Sequence, residues 1–300
     1  MTTAVIGLGL IGGTFALALK DEKISTSIIG VENNEIHASK ALQLGLVDEV
    51  LPLIEAVKKA DLIILATPVT IASEQLTEIL NNISTQIVTD TGSTKLGLIE
   101  AIKNHPKRGR YVPSHPMWGT EFSGPEAARH NVLNGIVNII CDKNDSDEDA
   151  LEFIENIYNR IGMRLVYMNS VAHDTHLAYV SHISHISSFA LANTVLGKEK
   201  EEDTIFNLAS SGFESTVRLA KSNAATWVPV FKQNKENVLD VLNEYISQLR
   251  KFKSALEKEN WEYLNELIEN SNEIKRVLDK NVKDENISLK QISKQVVSKK

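Results

Sequence analysis

The chain has 300 residues, 42% of them hydrophobic, and a formal net charge of −7. That length and apolar content are enough for a sizeable core and suggest two domains, while the acidic balance excludes the chain as a whole from nucleic-acid binding. The single cysteine, Cys141, excludes an internal disulfide framework, fits a reducing cytoplasmic compartment and reads as a small buried hydrophobe.

No charged and apolar leader precedes the first strand, and no apolar run reaches about 18 residues, so neither a signal peptide nor a membrane span is expected. In chain order, strands are expected at "TTAVIG", "TSIIGVE", "ADLIILATP", "TQIVTD", "GRYVPSHP", "GIVNIICD" and "MRLVYMN". Helices are expected between them at "GGTFALALKDE", "NEIHASKALQLG", "TIASEQLTEILNNI" and "KLGLIEAIKNH". This alternation implies a mostly parallel sheet with helices on both faces. From Ser170 no strand is expected. "VAHDTHLAYVSHISHISSFALANTVLG" reads as one long helix closed by Gly197, and "PVFKQNKENVLD" begins further amphipathic helix with one break or more. A boundary near residue 168 follows, with an α/β domain over 1–168 and an all-α domain over 169–300. The Lys-rich end, Lys275 to Lys300, reads as a solvated, fraying helix end.

"VIGLGLIGG" sets Gly7, Gly9 and Gly12 in a G-x-G-x-x-G between a strand and a helix, the context a dinucleotide-binding Rossmann-type domain requires. Gly7 permits the turn, Gly9 leaves room for a pyrophosphate, and Gly12 lets helix and strand pack. Leu10 and Ile11 open the helix whose free N–H groups face phosphate oxygens. Glu32, 20 residues past Gly12, stands where an acid holds the ribose 2′-OH, so NAD is expected over NADP. Thr67 and Pro68 end a parallel strand and should line the cofactor crevice. Ser93, after the next strand, is either a ligand for substrate and nicotinamide or the N-cap of the following helix. His115 ends the "YVPSHP" strand where the nicotinamide should sit, and a neutral imidazole there suits removal of a hydroxyl proton as hydride leaves the same carbon.

His173, His176, His182 and His185 crowd one helix. On a straight helix the first two point about 120–180° away from the last two, and no cysteine supports them, so no metal is expected. His182 and His185 with Ser181 form a polar face, suited to an anionic ligand or else buried and internally hydrogen-bonded. Arg218 and Lys221, three apart on one helical face, offer a carboxylate site through the planar guanidinium. Trp227 packs on that region or fills the core.

The ordered set "GLGLIGG", "TDTGSTK", "SHPMWGTEFSGPEAA", "HDTHLAYVSHISHISSFAL" and "SGFESTVRLAKSNAATW" resembles the prephenate dehydrogenase family over about residues 3–280. The resemblance implies NAD-dependent oxidative decarboxylation of prephenate to 4-hydroxyphenylpyruvate in tyrosine biosynthesis. It implies that His115 hydrogen-bonds the ring hydroxyl, Ser93 orients it and the nicotinamide, and Arg218 binds a substrate carboxylate. It also implies that His185 lies near the pyruvyl side chain, Thr120 and Ser181 line the pocket, and Glu121 stands at its mouth. A homodimer through the helical domain is implied as well, with Trp227 near the site across it. The sequence departs from the family pattern at Ser184, where many members carry proline, and at Ser211, where many carry glycine. No separate regulatory domain is expected after residue 280. An arogenate dehydrogenase and a non-catalytic NAD sensor remain as alternatives.

Overall fold

The computed structural model describes residues 1–202 and 204–278. Its first part alternates β1 Thr2–Ile6, α1 Leu10–Asp21, β2 Ser27–Val31, α2 Glu35–Gln43, β3 Glu49–Val50, α3 Leu53–Lys59, β4 Leu62–Leu65, α4 Val69–Asn82, β5 Ile87–Asp90, α5 Leu96–Ile102 and β6 Tyr111–Val112. The six strands form one parallel sheet ordered β3-β2-β1-β4-β5-β6. That is the doubly wound order of dinucleotide-binding domains, in which ligands lie beyond the carboxyl ends of the strands where the order reverses, here between β1 and β4.

Both faces are covered, which is why the strands read as unbroken apolar runs. Val5, Leu62 and Ile64 pack with Phe15, Leu19 and Tyr158, while Ala4, Ile6, Ile63 and Leu65 pack with Val57, Leu76, Leu80 and Leu98. Cys141 is fully buried in the second of these clusters, and burial pushes its thiol up to about 12.

"GRYVPSHP" is not one strand. Pro113 cannot donate to a ladder; β6 ends before it, and β7 Ser114–Pro116 begins a second sheet ordered β7-β8-β9. There His115 pairs antiparallel with Ile139 of β8 Val137–Cys141, and β8 runs parallel to β9 Arg164–Met168. His115 is therefore carried past the carboxyl edge of the main sheet by a different sheet. Two helices lie outside the expected set. α3 is only seven residues long. α6 Glu148–Ile161 buries Ala150, Ile154, Ile157, Tyr158 and Ile161 and stops at Gly162 with φ of 86°, a left-handed position that favours glycine.

After Met168 the described residues are helical or irregular. α7 Ser170–Leu177, a π turn over Ala178–His182 and α8 Ile183–Glu202 form one continuous rod. Gly197 does not close it; nothing lies within 4 Å of the Cβ it lacks, and an exposed glycine inside a helix costs only about 1 kcal/mol. α9 Ser211–Val217, α10 Ala224–Gln233, α11 Lys235–Glu257, α12 Trp261–Asn272 and α13 Ile274–Leu278 follow; where one break or more is expected, breaks fall around Asn234 and Asn260. Contacts group the chain into two compact units, Met1–Val241 and Leu242–Lys300. Most of the Lys-rich end, residues 279–300, lies outside the described residues. Among the described residues no helix is long and apolar enough to cross a membrane.

Candidate functional site

The turn from β1 into α1 has the geometry its glycines foretell. Gly7 sits at φ of 90°, and a Cβ there would come within 2.8 Å of the Ala66 carbonyl oxygen. A Cβ on Gly12 would collide with the Gly7 carbonyl oxygen, whereas Gly9 has nothing within 4 Å of that position. The open side of Gly9 and the unpaired first N–H groups of α1, at Leu10 and Ile11, suit a pyrophosphate. Glu32 ends β2 half-buried; its carboxylate accepts hydrogen bonds from the Leu8 N–H at 3.1 Å and the Asn34 N–H at 3.0 Å. It thus ties the glycine turn to the β2 end. Thr67, half-buried, donates to Gln75 Oε1 at 2.7 Å, and exposed Pro68 precedes α4. These residues fit NAD.

At the carboxyl end of β5 a buried polar knot forms. The Lys95 ammonium pairs with the Asp90 carboxylate, both inaccessible to solvent. Asp90 also accepts from the Tyr111 hydroxyl at 2.7 Å and from the Ser114 and Gly92 N–H groups at 3.1 and 2.8 Å. Ser93 is half-buried and is not the N-cap of α5; Lys95 occupies that position without a side-chain cap. The cap comes instead from Asp174 on α7, whose carboxylate accepts from the Lys95 N–H at 2.8 Å and the Leu96 N–H at 3.0 Å. The same carboxylate lies 2.7 Å from His173 Nδ1, and His173 Nε2 lies 2.9 Å from His115 Nδ1. His115 is buried, with its pKa held well below that of a free imidazole by burial first, then by His173, Lys95 and His182. Among the described residues its Nε2 has no partner.

The rod carries the other histidines. The π turn takes up one residue more than a regular turn, so His182 does not keep the phase of a straight helix. His173 and His182 are both fully buried, and Asn234 bridges the pair's surroundings, donating to the Asp174 carbonyl at 2.7 Å and to His182 Nδ1 at 3.1 Å. No group of residues that could hold a metal ion is present among the described residues. Burial pushes His182 down to about 4 and lowers His185 as well, so this polar face offers neutral dipoles rather than charge to an anion. His185 Nδ1 donates to the Ser181 carbonyl at 3.1 Å. Trp227, half-buried, stacks on His185 of its own chain with ring centroids 3.4 Å apart. α9 ends at Val217, so Arg218 and Lys221 lie in a 3-10 turn and diverge: Lys221 meets Glu214 at 3.4 Å, and Arg218 meets Glu121 at 3.6 Å. Thr120 is exposed, its hydroxyl accepting from the Phe122 N–H at 3.3 Å.

Residues 15–167 match the family model of the prephenate dehydrogenase nucleotide-binding domain, and residues 169–270 match that of the prephenate dehydrogenase dimerization domain. This chain belongs to the prephenate dehydrogenase family. It is 31% identical to the prephenate dehydrogenase of Bacillus subtilis over 88% of this chain and 72% of that protein. With the cyclohexadienyl dehydrogenase of Zymomonas mobilis the identity is 30%, over 92% and 95%. A crystal structure of the Aquifex aeolicus prephenate dehydrogenase in complex with hydroxyphenyl propionate and NAD+ superposes with a TM-score of 0.84 at 30% identity, over 92% of this chain and 97% of that one. A Synechocystis arogenate dehydrogenase superposes at 0.74 with 26% identity, over 93% and 100%.

Of the residues singled out from the prephenate dehydrogenase motifs, the structure links His182, His185 and Trp227 by ring contacts, His185 and Ser181 by a hydrogen bond, and Arg218 and Glu121 by charge. Asp174, Lys95 and Asn234 were not singled out. Each owes its importance to a partner 60 or more residues away in sequence for Asp174 and Asn234, or to a buried counter-ion for Lys95. The adjacent His173 and Asp174 are visible in the sequence, but nothing local says they aim at His115.

Proposed function

We propose that this chain catalyses the NAD-dependent oxidative decarboxylation of prephenate, with His115 as the group that manages the hydroxyl proton. The observation that carries the reading is a buried, neutral imidazole bonded only through Nδ1, with an uncommitted Nε2, in a chain that also builds an NAD-binding turn. NAD held on the Gly7–Gly12 turn supplies the hydride acceptor. His115 Nε2 accepts the ring hydroxyl proton as hydride leaves the same carbon. Loss of the ring carboxylate as CO2 sends its electron pair into the ring, which becomes aromatic, and His115 returns the proton to the new phenol oxygen. Aromatisation drives the step, so the chain's task is alignment. Ser93 aligns the hydroxyl and nicotinamide, Arg218 holds the ring carboxylate, and His182, His185, Ser181 and Thr120 surround the side chain. Glu121 holds Arg218 until a carboxylate replaces it. We take residues 1–168 as the cofactor domain and 169–300 as the domain through which a cytoplasmic homodimer forms.

A second reading, oxidation of arogenate, is favoured by one observation. Donation from His185 Nδ1 to Ser181 leaves Nε2 as an acceptor, which suits an ammonium better than a keto oxygen. NADH absorbance on adding prephenate or arogenate with NAD tests both: prephenate turnover is expected, and activity with arogenate alone would overturn the first reading. His115→Asn should lower kcat by about 10²–10⁴. Turnover within threefold of the parent would remove His115 from the chemistry.

A further inference from the structure

The hydrogen bonds around His115 fix more than its position. The Asp174 carboxylate, 2% exposed, can only accept; it takes the Lys95 and Leu96 N–H groups and faces His173 Nδ1. His173 Nδ1 therefore carries the proton. His173 is fully buried, and burial lowers its pKa, so the ring is neutral and its Nε2 is a bare acceptor. Only a proton on His115 Nδ1 satisfies the 2.9 Å contact between the two rings. His115, neutral for the same reason, must then leave its own Nε2 bare.

We propose that His173 and Asp174 are positioning residues that set the tautomer of His115, so that its free nitrogen is always the proton acceptor. The inference rests on the reading of His115 as the base. The charged groups around the pair are consistent with that role. Asp174 favours a positive charge on His173, while Lys95 opposes one on either ring and His182 opposes one on His115. Because the carboxylate that orients His173 also caps α5, the base and the Ser93 loop just before α5 are held by one residue of α7. The proton stays on His115 throughout; no transfer to His173 is needed. A carboxylate orienting a catalytic imidazole through its far nitrogen is a recurring device, and here a second imidazole is interposed.

Asp174→Asn is the direct test. With its amide nitrogen at Oδ1, the oxygen that faces both His173 Nδ1 and the Lys95 N–H, the new side chain would donate to His173 Nδ1, move that ring's proton to Nε2, and turn His115 into the tautomer with a proton on Nε2; the opposite orientation would lose only the Leu96 cap. A fall in kcat of about 10²–10⁴ is expected, with unchanged affinity for NAD. Nitrogen-15 spectra of histidine-labelled enzyme should show His115 Nε2 changing from pyridine-type to pyrrole-type. Since Asp174 also caps α5, His173→Leu and His173→Gln provide a route that leaves the cap in place. Leu should lose at least about 100-fold in kcat, and Gln, whose carbonyl can accept from His115 while its amide meets Asp174, should recover part of it. If His115→Asn abolishes turnover while Asp174→Asn and His173→Leu keep kcat and a pyridine-type Nε2, the positioning role is wrong and the base assignment stands. If His115→Asn is itself active, the base assignment has failed.

Discussion

Replacing Glu32 by glutamine probes the cofactor preference at one atom. The carboxylate is fixed by two backbone N–H groups, so it cannot swing away from an incoming ribose. A 2′-phosphate of charge about −2 held about 5 Å from it would be repelled by about 1.7 kcal/mol at the dielectric of water, and by several kcal/mol at an effective value of about 20. At about 1.4 kcal/mol per tenfold, NAD should be favoured over NADP by at least an order of magnitude. Glutamine keeps the size but removes the charge. Its amide nitrogen must also face one of the two N–H donors, which costs about 1–3 kcal/mol of turn stability. That penalty strikes both cofactors and cancels in their ratio. Steady-state kcat/KM for NAD and NADP should therefore fall together in part, while their ratio shrinks about tenfold or more. A ratio unchanged by the substitution would refute the placement of Glu32 at the ribose.

Arg218→Lys should raise KM for prephenate about tenfold or more and leave KM for NAD unmoved, because an ammonium cannot replace a planar fork against a carboxylate; varying each substrate in turn checks this, and an unchanged prephenate KM would reduce Arg218 to the partner of Glu121. For pH, the pKa values of His115, His173, His182 and His185 are all lowered by burial. The folded state thus binds fewer protons than the unfolded one below about pH 6.5, so stability is complete above that value and is lost as pH falls through the folded pKa values, which reach about 4 for His182. Chemical denaturation between pH 7.5 and 4.5 should show a falling midpoint; a level one would contradict the burial argument. For the same reason kcat/KM should hold level from pH 8 down past 6.5 before its acid limb begins.

The cofactor half was legible because its signals are local. Three glycines, an acid 20 residues on and short unbroken apolar runs between helical segments each fix local geometry without help from distant residues. What was not legible depends on contacts. Pro113 is visible, yet only the pairing of His115 with Ile139 reveals that the chain changes sheets there. β3 is two residues long, too short to show a period, and α6 lies outside the expected helices although its apolar spacing and Gly162 stand in the sequence. Ser93 looks like an N-cap because Ser is a good one; Asp174 supplies the cap from another element and leaves Ser93 free. In the histidine-rich rod, the expected phase of His182 follows a straight helix and the expected end is Gly197; the π turn changes the first and a helix running on to Glu202 changes the second.

That π turn makes the winding of the backbone, rather than the number of residues, the sensitive property of the rod. Substitutions on the exposed side of Ala178–His182, at Tyr179 or Val180, leave the wide turn in place. Deleting either one would remove the extra residue that the wide turn absorbs, so the backbone would close as regular α-helix with everything beyond it in the same phase. His185 would keep the side on which Trp227 stacks, whereas closing the turn as regular helix with all its residues present would rotate His185 away by about 100°. For relatives of this chain, a gap of a single position in this stretch is therefore a small change, the mark of a regular turn where this chain has a wide one.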